Sequence, residues 1–466
     1  MKSFVFAGIA FSLLLSGAVL AQATPSVLDS TALTEVISAE VQAQGAPAVA
    51  VAVVYGGETI FSQGFGMRNR ETQDPATPDT LFRIGSTTKP LTAIGILRLV
   101  EQGKLDLDAP VVNYVPEFSV NPAIRVRHLL SHTGGLKDNA IPYGRRDPAA
   151  LSDYIASWDE RARFAEAGQV FSYSNPGFDL LGRVIETVSG QSYADYMAQE
   201  VFPALGMKRS TLDPNMAMTY PLATGYSRGL LGSTPVRPQV DNVAEYPAGF
   251  VFSSVNDLTR LAQFFIQQGV LENQPVLSAE RVTAMQTPVT TSGTMGYGLG
   301  VFVDDSRGVR AVGHDGAITG YSSFFITLPE QGLGVVVLAN IDGFDATPIY
   351  DAVLEQLLDL PAVSAEPAPA LTAEQLAEYV GAYTVENIYG EEPITVTIAL
   401  QEGVLKAAIV GQGTFVLRPS HPDRFKLYLG EMDMGAEVSF LRDATGAVQF
   451  ISAGARAGAR QADIPN

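Results

Sequence analysis

Apolar residues fall at helical spacing over residues 33–44, and Gly45 and Pro47 close that run. Valine and alanine then fill 48–54 without interruption, which predicts a strand, and Gly56-Gly57 turns the chain into a second strand over 58–65. From about 86 to 270 the pattern is mostly helical and broken by loops rich in proline and glycine. Strand patterns return at 297–303, 309–313, 321–328 and 333–339, and a helix over 347–358 closes this part. Hairpin connections imply an antiparallel sheet whose terminal helices cover one face, an α+β fold. A helical lobe inserted between the strands leaves a cleft where the two meet.

The segment 361–370, PAVSAEPAPA, has the composition of a linker. Beyond it, strand-like stretches at 394–400, 404–410, 414–417, 424–429, 437–441 and 448–451 alternate with turns, as in a small β-barrel or sandwich. The expected organisation is a large α+β domain over 24–360 and a small all-β domain over 371–466, in which no catalytic cluster stands out.

The first residues change where the protein is expected to be. Lys2, an apolar run over 4–20 and the small residues of Ala21-Gln22-Ala23 have the order of an export signal cleaved after residue 23. A membrane anchor is the alternative, but the run is short, contains glycine and has no stop-transfer flank. A periplasmic or secreted protein without stable membrane insertion is expected. Net charge is -19, from 49 acidic and 30 basic residues, which disfavours nucleic-acid partners. Cysteine is absent, so thiol nucleophiles and thiolate metal sites are excluded. The four histidines, at 128, 132, 314 and 421, lack metalloprotease spacing, and no metal or cofactor is expected.

Three segments carry candidate chemistry. Ser86 and Lys89 lie at i and i+3 at the start of a helix that runs to Gly103, hence on one face. A serine hydroxyl needs a neighbouring base, and a desolvated lysine can serve. Read alone, the same residues are a helix cap and a solvated lysine. Tyr173 and Asn175 stand in the segment 171–177, before a second helix. Asn175-Pro176 is by itself a cap followed by a first-turn proline, and Tyr173 a buried aromatic. His314, Asp315 and Gly316 leave a strand pattern, and the Ala317 amide could pair with that of Ser86 as an oxyanion hole. His128 and His132 fit a role in holding a turn.

Together, S-x-x-K, Y-x-N and a glycine-flanked H-x-G resemble the three motifs of the β-lactamase and penicillin-binding serine hydrolase superfamily. The stretches at 81–85, 129–136 and 248–258 are similar to further blocks of that family. The resemblance implies an acyl-enzyme on Ser86, with Lys89 and Tyr173 as the bases and Asn175, His314, Gly316 and Ala317 around the substrate. Its penicillin-processing members most often carry K-[ST]-G at the third motif, where this chain has His314-Asp315-Gly316. That form is similar to the esterase, D-aminopeptidase and peptidase relatives of the class C enzymes, some of which bear a lipocalin-like C-terminal barrel. The expected function is cleavage of small ester, amide or peptide substrates, including those of D-amino acids. The alternatives are a β-lactamase or D-alanyl-D-alanine carboxypeptidase, or a non-catalytic acylatable sensor or binding module. The C-terminal domain could reach over the cleft, bind a partner or drive oligomerisation.

Overall fold

The computed structural model describes residues 27–230, 232–292, 295–360, 368–385, 393–443 and 445–461. The expected signal over 1–23 lies outside the described residues, as does 361–367 of the expected linker. The strand Ala48–Tyr55 sits deep in a nine-stranded sheet, between Leu333–Ala339 on one side and Glu58–Asn69 on the other. Beyond Leu333–Ala339 follow Tyr321–Leu328, Ala311–Ile318, Phe302–Asp304, Met295–Tyr297 and Thr290–Ser292, with antiparallel pairing throughout.

Both faces of this sheet are covered, which explains why its inner strands read as unbroken valine and alanine. Val49, Val51, Val53, Val335 and Val337 face the helices Ser30–Ala43 and Thr347–Leu357, through Leu33, Ile37, Ile349 and Val353. Ala50, Ala52, Val336 and Leu338 face the other way, onto Leu258, Leu261 and Phe265 of the helix Val255–Ile266 and the rest of the helical lobe. Each fully buried valine or leucine contributes roughly 1.5–3 kcal/mol relative to exposure.

Two strand expectations need correction. The stretch 297–303 is not one strand but the ends of two, Met295–Tyr297 and Phe302–Asp304. Between them Gly300 takes φ +81, with its missing side chain filled by Ala93. The strand expected to stop at 313 continues to Ile318, so the H-x-G residues lie within it. Its last residues extend past the pairing with Phe302–Asp304 and leave an open edge toward the serine turn.

The eight strands from Gly381–Val385 to Arg456–Arg460 form a closed antiparallel barrel, completed by pairing of the first with the last. Tyr379, Tyr383, Phe425 and Phe440 pack its interior. The two closing strands carry too little apolar alternation to be read from sequence; the last is RAGAR. Among the described residues, no helix is long and apolar enough to cross a membrane.

Candidate active site

Gly85–Thr87 forms a tight turn that leads directly into the helix Thr88–Glu101, so Ser86 and Lys89 share a face. The turn is fixed on all sides. Ser323 Oγ donates to the Ile84 carbonyl at 2.6 Å and lies 2.8 Å from Thr87 Oγ1. Just before it, the fully buried Arg83 donates to the carbonyls of Phe250 and Val240 and pairs with Asp241 at 3.2 Å. Its guanidinium also lies 3.9 Å from the Phe252 ring centre. Arg83→Ala should therefore cost about 3 kcal/mol, because it leaves Asp241 and two carbonyls buried without this partner. Urea unfolding beside the wild type checks this; an unchanged midpoint would remove Arg83 as the brace of the turn.

Lys89 is fully buried. Its Nζ lies 3.1 Å from Ser86 Oγ, 2.7 Å from Asn175 Oδ1 and 2.8 Å from the Ala248 carbonyl. Burial brings its pKa down to about 7, although the nearby Asp138, Asp179 and Glu245 pull the other way. A neutral amine has two hydrogens and one lone pair. The two carbonyl oxygens take the hydrogens, which leaves the lone pair for the serine hydroxyl. The acids beside Lys89 are perturbed as well: burial and Glu245 hold Asp179 far above the usual carboxylate range, and burial raises Glu245 to about 7.

Tyr173 and Asn175 reach the same point from either side of the start of the helix Asn175–Ser189. The helix cap is Ser174, not Asn175: Ser174 Oγ accepts from the Gly177 amide at 3.2 Å. That frees the Asn175 amide group to meet Lys89. The Tyr173 phenol is hydrogen-bonded to Ser86, and burial drives its pKa well above the ordinary value, so it stays protonated. Behind it, His132 stacks on the Tyr173 ring at 4.2 Å and accepts from the Ser174 amide at 3.1 Å. His128 Nδ1 accepts from the Arg125 amide at 3.2 Å.

The strand Ala311–Ile318 passes so close to the turn that only glycine fits at two positions. A side chain on Gly316 would stand 2.1 Å from the Ile84 carbonyl and 2.9 Å from the Ser86 nitrogen. One on Gly85, at φ +50, would meet the Ala317 nitrogen at 2.7 Å. The backbone nitrogens of Ser86 and Ala317 thus come side by side. His314 is buried; its Nδ1 lies 2.5 Å from the Asp315 carbonyl and its Nε2 3.3 Å from the Tyr297 hydroxyl. Burial lowers its pKa to about 4, so the ring is neutral near pH 7.

Ser86 and Asn175 open into a cleft of about 490 Å³ whose walls include Ala140, Glu245, Phe250, Ala317 and Tyr321. Among the described residues, no group of three or more His, Asp or Glu is arranged to hold a metal ion. Sequence reasoning missed three groups here. Asp179 and Glu245 carry no motif, and only the folded lobe places them near Lys89. Arg456 comes from the barrel, where no catalytic cluster was expected, and its Nε donates to Asp138 at 2.7 Å.

The Beta-lactamase family model matches residues 33–359. Protein flp of Staphylococcus aureus strain MW2 is 28% identical over 325 residues, 66% of this chain, and the chain spans 62% of that relative's length. Penicillin-binding protein 4 of Amycolatopsis lactamdurans is 30% identical over 363 residues, covering 73% of this chain and 94% of the relative. The structure of the octameric penicillin-binding protein homologue from Pyrococcus abyssi is 26% identical with a TM-score of 0.64, and the match covers 93% of this chain and all of that one. That last match extends well beyond the region of the family model. With its serine, lysine, tyrosine and asparagine gathered at one turn, the chain belongs to the β-lactamase family of serine hydrolases.

Proposed function

We propose that the protein is an exported serine hydrolase that cleaves small esters or amides, including peptide-like bonds of D-amino acids, through an acyl-enzyme on Ser86. The observation that carries this reading is the buried, readily neutral amine of Lys89, whose nitrogen lies 3.1 Å from Ser86 Oγ. In the first half-reaction Lys89 takes the hydroxyl proton as Oγ attacks the carbonyl carbon. The oxyanion that forms is met by the amides of Ser86 and Ala317. The Tyr173 phenol, kept protonated by burial, passes a proton to the leaving group and is resupplied from Lys89. Water repeats the sequence on the acyl-enzyme and frees the acid. Asn175 orients both Lys89 and the substrate carbonyl.

The third motif supports an ester or amide over a β-lactam. His314 is neutral and Asp315 is exposed beside it, so this strand offers an incoming carboxylate no cation and adds a negative charge. The export signal read from residues 1–23 belongs to the same proposal, as does assembly into oligomers, for which the octameric homologue is the support.

Two measurements test the reading. A fluorophosphonate should add one adduct mass, located on Ser86. Purified protein should turn over p-nitrophenyl acetate or D-aminoacyl amides and leave nitrocefin nearly untouched; efficient nitrocefin turnover would replace the substrate assignment with the β-lactamase one. Because Lys89 must be neutral to accept the proton, kcat/KM should fall as pH drops through about 7 and level off above it. A profile flat from pH 5 to 9 would contradict the lysine's role.

A further inference from the structure

The segment that presents Tyr173 and Asn175 is held from the far domain. Asp138, whose side chain is only 2% exposed, accepts the Asn175 amide on Oδ1 at 2.7 Å. Its Oδ2 receives Arg456 Nε at 2.7 Å and lies 2.6 Å from Nη2, a two-pronged grip. The barrel hairpin around 453–456 is seated by two hydrogen bonds from backbone amides. The Tyr173 amide donates to the Ala455 carbonyl at 2.8 Å, and the Ala457 amide donates to Ser172 Oγ at 3.1 Å. Phe450 and Ala457 pack against Ala165 and Val170, and the Arg456 guanidinium lies 5.5 Å from the Tyr173 ring centre.

We infer that Arg456 is a positioning residue of the Ser86 reaction: through Asp138 it holds the segment carrying Tyr173 and Asn175, and it balances the charge of Asp138 beside Lys89. The inference rests on the reading of Ser86 as nucleophile. A carboxylate as buried as Asp138 is costly without a partner. Left unbalanced, it would stabilise the ammonium form of Lys89, which cannot accept a proton. The other groups facing Lys89 are Asp179, Glu245, Tyr173, His132 and His314. Of these, burial pushes Asp179 well above the usual carboxylate range and Glu245 up to about 7, Tyr173 stays protonated, and the two histidines are neutral near pH 7. Arg456 adds a positive charge to this group and favours the neutral form of Lys89.

The test follows kcat/KM for p-nitrophenyl acetate against pH in the full chain. Arg456→Ala should move the acid limb upward by about one pH unit and lower activity at pH 7 roughly fivefold. Arg456→Lys should restore the position of the limb. Asp138→Asn, which keeps an acceptor for the Asn175 amide, should move the limb downward, and combining it with Arg456→Ala should bring the limb back toward wild type. A limb that stays put in a folded Arg456→Ala protein, or that stays raised when Asp138→Asn is added to it, overturns the inference. If Arg456→Ala does not fold, Asp138→Asn decides alone, and an unmoved limb is again fatal. Absence of ester turnover in the wild type would instead strike the Ser86 reading itself.

Discussion

Ser86→Ala is expected to reduce kcat/KM for p-nitrophenyl acetate by on the order of 10⁵-fold, because it removes the atom on which the acyl group would rest. No neighbour can substitute. The Tyr173 phenol is held protonated, and the Lys89 amine is fully buried with carbonyl oxygens on two sides. The paired amides of Ser86 and Ala317 survive the change, so a weak residual rate above uncatalysed hydrolysis is expected, as when other serine hydrolases lose their nucleophile. The backbone of the turn is braced by Arg83 and Ser323 rather than by the serine side chain, so the variant should melt like the wild type. Near-normal turnover, or a fluorophosphonate adduct that persists on the variant, would end the assignment.

Lys89→Met should lower kcat/KM by about 10³-fold or more, since it deletes the general base while keeping an unbranched side chain of similar length. Asn175 Oδ1 and the Ala248 carbonyl lose a donor, but the cost of burying an amine disappears, so these changes partly offset one another in stability. The informative reading is the pH profile of the remaining activity. Glu245 also lies near 7 and lines the cleft, so the limb in the wild type has two candidate owners. Loss of the limb in Lys89→Met assigns it to the lysine. A limb that persists near 7 transfers it to Glu245.

The sequence made the nucleophile helix plain because its chemistry is local: three residues of spacing put Ser86 and Lys89 on one face. Tyr173, Asn175 and the H-x-G strand were visible only as parts of a family pattern, since each has an ordinary structural reading alone. What the pattern could not supply was fit. The side-by-side amides depend on the strand running on to Ile318 and on two missing side chains, at Gly85 and Gly316. Ser174 is the cap in place of Asn175 because the helix begins one residue earlier than read: Ser174 is extended and accepts the Gly177 amide, while Asn175 is already helical. The acids near Lys89 and the arginine from the barrel had no signal in the chain. Asp138 and Arg456 meet across a separation of 318 residues, and RAGAR announces neither a strand nor a site.

That separation sets an order of assembly. Lys89 and Asn175 are 86 positions apart and sit within one helical lobe, so the nucleophile and its base can gather as that lobe condenses. Docking of the barrel hairpin must wait for its eight strands to close, and contacts so distant in the chain form late and slowly. A freshly made molecule would therefore hold an assembled but poorly supported nucleophile, and gain its full rate only when the second domain locks in. On the role inferred above for Arg456, closure of the barrel would be the last step that brings the hydrolase to full rate.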